Sequence, residues 1–251
     1  MWVMLSDPVS AFGREVADRL SAELDDHLVG AYFVGSVALG GYVAGQSDID
    51  IVAVCDRQLD HDAKCSVVDA VEKAITSCPA RGLEFTLYRS ETARSGPRGA
   101  DFEVNVNGGP RMERAVHLDP EEEPAFWYVI DRGIVRRFGV TIAGPPPVEV
   151  FASVVRPVLL EAMVESMRWH RHHENATLYS VLNAARAWRF AVEGELGSKL
   201  QGATWARGRW HRPWVIDAAV DLRHGRPSHL DATEVEELLD HVERVLEISP
   251  L

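Results

Sequence analysis

The sequence predicts an α+β fold, with a mixed sheet and its helices in the first half and an all-helical bundle in the second. Three observations carry this. Short apolar or alternating runs are interleaved with helix-period stretches as far as Gly139. Gly144-Pro145-Pro146-Pro147 is then the strongest punctuation in the chain. Beyond it only helical periodicity recurs. The expected domains are residues 1–146 and 147–251.

In order along the chain, Val9, Phe12, Val16, Leu20 and Leu24 recur at helical spacing and predict an amphipathic helix over Pro8–His27. Ala31–Val34 is a short apolar run ending at Gly35-Ser36, Asp50–Val54 reads as a strand, and His61–Ser77 as a second helix. Leu83–Tyr88 and Phe102–Val106 read as further strands. In the latter, Phe102, Val104 and Val106 alternate with Glu103, Asn105 and Asn107, the pattern of a half-exposed strand. Ser90–Ala100, with Gly96-Pro97-Arg98-Gly99, reads as a loop. Glu121–Phe138 is expected to be helical, its acidic start favoured by the helix dipole and its end set by Gly139. Downstream helices are expected over Val154–His170, Ala176–Val192, Trp214–Arg223 and Asp231–Ile248. The last opens with Asp231-x-x-Glu234, a capping-box-like pattern.

Composition narrows the function classes. The 251 residues carry 38 Asp+Glu against 26 Lys+Arg, a formal charge of −12, which disfavours phosphate-backbone binding and suits a cationic substrate. With 46% hydrophobic residues a packed core is expected rather than disorder. No uncharged apolar run approaches the ~20 residues that span a bilayer, and Met1–Leu5 leads into Ser6-Asp7-Pro8 without the features of a signal peptide. Three cysteines, Cys55, Cys65 and Cys78, form no CxxC pair and read as reduced thiols. A cytoplasmic protein without membrane or nucleic-acid partners is expected.

The stretch with chemical content is Val34-Gly35-Ser36-Val37-Ala38-Leu39-Gly40-Gly41, continuing to Ser47 and then Asp48-Ile49-Asp50-Ile51. Gly35 permits a close backbone approach to a phosphate, and Ser36 at a helix start offers hydroxyl and amide donors. Asp48 and Asp50 alternate along a strand and so share a face, where two carboxylates can hold Mg²⁺ against triphosphate oxygens. Glu84, on a neighbouring strand, is placed to supply the third acid. An isolated DxD ordinarily marks a solvated strand end; here it follows a strand ending in Gly-Ser and sits among aliphatic residues.

That arrangement resembles the polymerase-β-type nucleotidyltransferase superfamily. Tyr179 to Trp188 (YSVLNAARAW), Ser198-Lys199 and Thr204-Trp205-Ala206 resemble the C-terminal helical domain of streptomycin/spectinomycin adenylyltransferases. The resemblance covers roughly Ala31 to Arg207. It implies a Mg²⁺-dependent transfer of AMP from ATP to a hydroxyl of an aminoglycoside or aminocyclitol, releasing pyrophosphate, in a cleft between the two domains. Asp48, Asp50 and Glu84 would form the metal and catalytic set, with Glu84 as general base or third metal ligand. Gly35, Ser36 and Ser47 would contact ATP, and Arg186 and Lys199 would clamp its triphosphate.

On the acceptor side, Trp169 could stack on a sugar and Glu174 could pair with a cationic group, while Glu103, Asn105 and Asn107 would face the site from the strand beside Glu84. The pattern departs from that family in two places. No second acid follows in Asn175–Leu178, and the Phe102–Val106 strand ends in Asn107-Gly108-Gly109 where an aromatic contact is expected. His170, His172 and His173 point in different directions at one helix end and lack the ligand spacing of a zinc site. Two other readings stay open, a nucleotidyltransferase acting on a protein hydroxyl and a nucleotide-binding regulator without catalysis. A monomer is expected, since each domain would carry half of one site.

Overall fold

The structure, a computed structural model, describes residues 7–96 and 98–249. The expectation of no leader segment rests in part on residues 1–6, which lie outside the described ones. The chain divides into two compact units, with the division between Val154 and Val155. The Gly-Pro-Pro-Pro punctuation lies before that division. Phe151 is fully buried against Tyr32 of the sheet, ring centroids 5.7 Å apart, so the segment after Pro146 stays with the first unit.

The first unit is built on a six-stranded sheet. Its elements are α1 (Asp7–Leu24), β1 (Leu28–Phe33), α2 (Gly35–Ala38), β2 (Ile49–Cys55), α3 (His61–Ile75), β3 (Leu83–Arg89), α4 (Ser90–Ser95), β4 (Phe102–Gly109), β5 (Met112–His117), α5 (Ala125–Phe138), β6 (Val140–Ala143) and α6 (Pro147–Val150). The strand order is β5-β4-β3-β2-β1-β6. Among the described residues only β2 and β3 run parallel, and α3 makes the crossover that a parallel pair requires. One sheet face packs on α1 and α3 through Phe12, Val16, Leu20, Val67, Val71, Ile49, Ile51, Phe85 and Leu87. Burying each such side chain stabilises by about 1.5–3 kcal/mol. The other face carries Tyr32, Val52, Val54, Tyr88 and Phe102 against Tyr128 and Val135 of α5.

Four local readings are corrected. Ser90–Ser95 is helical rather than loop, closed by Gly96 in the left-handed region (φ 60°). The helix expected from Glu121 starts at Ala125, because Pro124 interrupts it after a 3-10 turn at Pro120–Glu122. The edge strands β5 and β6 were not legible in the sequence. β4 is not half exposed: Glu103 and Asn105 are each 5% exposed.

The second unit consists, among the described residues, of α7 (Arg156–His173), α8 (Leu178–Glu193), α9 (Lys199–Arg207), α10 (Pro213–Arg223) and α11 (Ala232–Ile248). Helix α9 was missed by periodicity, although Ser198 and Gln201 form a capping box at its start. Helix α8 lies at the centre, with Val181, Leu182, Ala184, Ala185, Ala187, Trp188, Phe190 and Ala191 buried. Its alanines admit close neighbours. A Cβ on Gly202 of α9 would stand 2.6 Å from the Arg186 Cα, so glycine is what allows α9 to lie directly on α8 there. Arg168 and Arg171 of α7 pair with Glu236, Asp240 and Glu243 of α11 at 2.6–3.1 Å, contacts of modest energy at a partly exposed surface.

Candidate active site

In the first unit the site begins where β1 ends. The Val34 amide donates to the Asp50 carbonyl at 3.0 Å, which ties the turn after β1 to β2. Gly35 has φ +53°, and a Cβ there would lie 2.0 Å from Asp50 Oδ2 and 2.4 Å from its Cγ. The glycine is therefore required by the Asp50 carboxylate packed against it, a second reason beside the phosphate approach that the motif suggests. Ser36 follows in the first turn of α2, its Oγ buried and without a hydrogen-bond partner. Ser47, 5% exposed, uses its hydroxyl to accept from the Val43 amide at 3.0 Å and so shapes the loop ahead of Asp48.

Asp48 and Asp50 flank buried Ile49 and project to one face of the sheet. Parallel pairing sets Asp50 opposite Glu84 on β3. The three acids each offer a carboxylate oxygen, and these oxygens all lie within 4.8 Å of one another. Three negative charges at that spacing repel by a few kcal/mol per pair near a protein surface. Arg81 Nη2 stands 3.9 Å from Asp48 and offsets part of it. Hard oxygen donors converging on one point are the set that Mg²⁺ takes together with substrate phosphates, so the residues fit that ion. Glu84 is the most exposed of the three.

Antiparallel β4 sets Asn107 opposite Glu84 and Asn105 opposite Thr86. Asn105 donates to the Thr86 hydroxyl and to the Phe85 carbonyl, both at 3.1 Å, and accepts from Asn107 at 3.1 Å. It is a buried support. Asn107 stands nearer the acids, its Oδ1 buried and without a hydrogen-bond partner. Glu103 departs from expectation. A bulge between the Leu87 and Tyr88 pairings breaks the alternation of β4. Glu103 consequently meets Lys64 of α3 at 3.4 Å and Arg89 Nε at 2.9 Å, and accepts from the Leu59 amide, on the face opposite the three acids. Its position is that of a structural ion pair.

In the second unit, Glu174, Arg186 and Lys199 converge with His170. The imidazole is 2% exposed; its Nδ1 lies 2.8 Å from Glu174 Oε2 and its Nε2 2.7 Å from Asn183 Nδ2. Arg186 Nη2 donates to Asn183 Oδ1 at 3.1 Å. Lys199 Nζ lies 5.0 Å from the Tyr179 ring centroid, within cation–π range. Burial first, then the charges of Lys199 and Arg186, push His170 down to about 3. Burial also raises the Glu174 carboxyl, with Lys199 and His173 opposing. Trp169 is stacked on His173 at 4.7 Å and edge-on to His170 at 5.2 Å, so one face of its ring is already covered. His172 and His173 bond the carbonyls of Arg168 and Trp169. Asn183 carried no sequence signal, because only partner geometry distinguishes it from any other asparagine.

Comparison with known proteins bears on both units. Residues 149–246 match the family described as aminoglycoside adenylyltransferase, C-terminal domain. Over 228 residues the chain is 25% identical to an aminoglycoside (3'') (9) adenylyltransferase of Klebsiella pneumoniae, covering 84% of each chain. The corresponding protein of Escherichia coli is also 25% identical, over 84% of this chain and 83% of its own. Among solved structures, spectinomycin adenyltransferase AAD(9) from Enterococcus faecialis, determined with ATP and spectinomycin, superimposes with a TM-score of 0.71 at 14% identity. That match covers 94% of this chain and 98% of the other, a likeness of fold. The resemblance to the aminoglycoside adenylyltransferases is thus borne out, in sequence most specifically over residues 149–246 and in fold along nearly the whole chain.

Proposed function

We propose that the protein transfers AMP from ATP to a hydroxyl of an aminoglycoside or aminocyclitol antibiotic of the spectinomycin or streptomycin type, releasing pyrophosphate. The observation that carries this is the convergence of Asp48, Asp50 and Glu84 behind the Gly35-Ser36 turn. The family match and the names of the relatives support the substrate class.

Asp48 and Asp50 would hold Mg²⁺, which would supply neutralisation of triphosphate charge. The unpartnered Ser36 hydroxyl donates to a phosphate oxygen, while Ser47 keeps the preceding loop in place. Glu84, exposed and beside Asp50, takes the proton of the acceptor hydroxyl. The acceptor oxygen then bonds to the α-phosphorus as the bond to pyrophosphate breaks. Arg186 and Lys199 bind the triphosphate. Glu174 and Trp169 receive the acceptor. Its net charge of −12 favours encounter with a polycationic drug, although salt screens the long-range part.

The test is pyrophosphate release with ATP and Mg²⁺ across spectinomycin, streptomycin, kanamycin and no acceptor, with Asp50→Ala alongside. Release that requires one drug and vanishes in the variant supports the assignment. ATP binding without release on any drug moves the acceptor to another hydroxyl, such as one on a protein.

A further inference from the structure

We propose that His170 is a positioning residue that joins the acceptor-binding carboxylate of Glu174 to the triphosphate-binding guanidinium of Arg186 through one directional chain of hydrogen bonds. The proposal rests on the roles assigned above to Glu174 and Arg186.

The direction of the chain follows link by link. A guanidinium only donates, so the Asn183 atom 3.1 Å from Arg186 Nη2 is the amide oxygen. That orients the Asn183 nitrogen, a donor, towards His170 Nε2 at 2.7 Å. Nε2 must then be the bare, accepting nitrogen, and the ring proton sits on Nδ1, which donates to Glu174 Oε2 at 2.8 Å. Each step leaves one arrangement. His170 and Asn183 are 2% and 5% exposed, so the bond between them is shielded from water.

The local sequence places the four groups for this purpose. His170 lies in the last turn of α7 and Glu174 is its C-cap, one turn on. Asn183 and Arg186 sit one turn apart on α8. The charged groups near the imidazole are Glu174 at the end of α7, Arg186 on α8 and Lys199 on α9. The two cations and burial keep the ring neutral well below working pH, so the chain does not reverse its direction in use. One buried imidazole thereby sets the orientation of a carboxylate for one substrate and of a cation for the other.

Two measurements decide this. The first reads the ring nitrogens by NMR in protein labelled with ¹⁵N-histidine, with His170→Gln used to assign the signal. The expected result is a protonated Nδ1, a bare Nε2 and no titration down to about pH 5. In Asn183→Asp the donor facing Nε2 becomes an acceptor while Arg186 keeps its partner, so His170 must hold protons on both nitrogens and titrate at higher pH. An Nε2–H tautomer in the wild type, or no upward shift in Asn183→Asp, overturns the chain.

The second is kinetic. His170→Leu raises KM for ATP and for the drug together, about tenfold each, with a smaller change in kcat. His170→Gln, which retains one donor and one acceptor, recovers most of both. Unchanged KM for either substrate in His170→Leu, or no difference between Leu and Gln, overturns the positioning role. If the wild type adenylylates no drug, the proposed function fails, and the NMR result with the ATP dissociation constant of each variant still decides the chain.

Discussion

Replacing Gly35 by alanine separates the chemistry of the site from the stability of the fold. The added Cβ would lie 2.0 Å from Asp50 Oδ2 and 2.4 Å from Cγ, whereas ordinary non-bonded contact between such atoms is about 3.5 Å. The carboxylate must therefore move by about 1 Å or more, or the turn must open. A left-handed φ of +53° adds a backbone cost of about 1–2 kcal/mol for alanine. At about 2–4 °C per kcal/mol for a chain of this size, Tm should fall by about 2–8 °C and the protein should remain folded at 25 °C. Activity should suffer more, because displacing a reacting group by about 1 Å costs on the order of 100-fold. The assay is drug-dependent pyrophosphate release at 25 °C beside a thermal melt. A variant within about threefold of wild-type kcat/KM would refute the inference that Asp50 is held in place by the missing Cβ.

Further outcomes follow from the same geometry. Glu103→Gln breaks a buried ion pair on the far sheet face, so the urea midpoint should fall by the equivalent of about 1–3 kcal/mol while KM for ATP and drug stays unchanged; a selective rise in KM would return Glu103 to the substrate site. Mg²⁺ at ten times its dissociation constant should stabilise the first unit by about 1.4 kcal/mol, read as a rise in melting temperature that Asp50→Asn abolishes. His170 is held below its unfolded value, so the unfolded chain binds the proton more readily. Its contribution is complete above about pH 6.5 and is lost as pH falls towards 3. Glu174, held above the usual carboxyl range, acts with the opposite sign. Urea unfolding at pH 7 and pH 5 should therefore show a steeper acid loss in wild type than in His170→Gln, and equal slopes would contradict the placement of that histidine.

Much of the catalytic half was legible because strand alternation and Gly-Ser chemistry are local. Asp48 and Asp50 could be put on one face from spacing alone, and Glu84 needed only a neighbouring strand. What escaped was non-local or too short. The bulge that turns Glu103 away has no marker in Phe102–Val106, since alternation there reads as regular. Strand β6 is four residues long and β5 is an edge strand with exposed Glu113 and Arg114, so neither shows a buried period. Helix α9 was readable from Ser198 and Gln201 and was overlooked because its apolar stripe is weak. His170 reads as one of three histidines at one helix end, and only the partners at 2.7 and 2.8 Å reveal its setting.

The central claim is that these acids drive adenylyl transfer to a drug hydroxyl. The most direct measurement is mass spectrometry of spectinomycin and streptomycin after incubation with ATP, Mg²⁺ and either the wild type or Asp50→Asn. The account predicts one drug carrying a single adenylyl group, equimolar with released pyrophosphate, and none with the variant. Unmodified drugs in the presence of a folded protein that binds ATP, or equal product from Asp50→Asn, would contradict it.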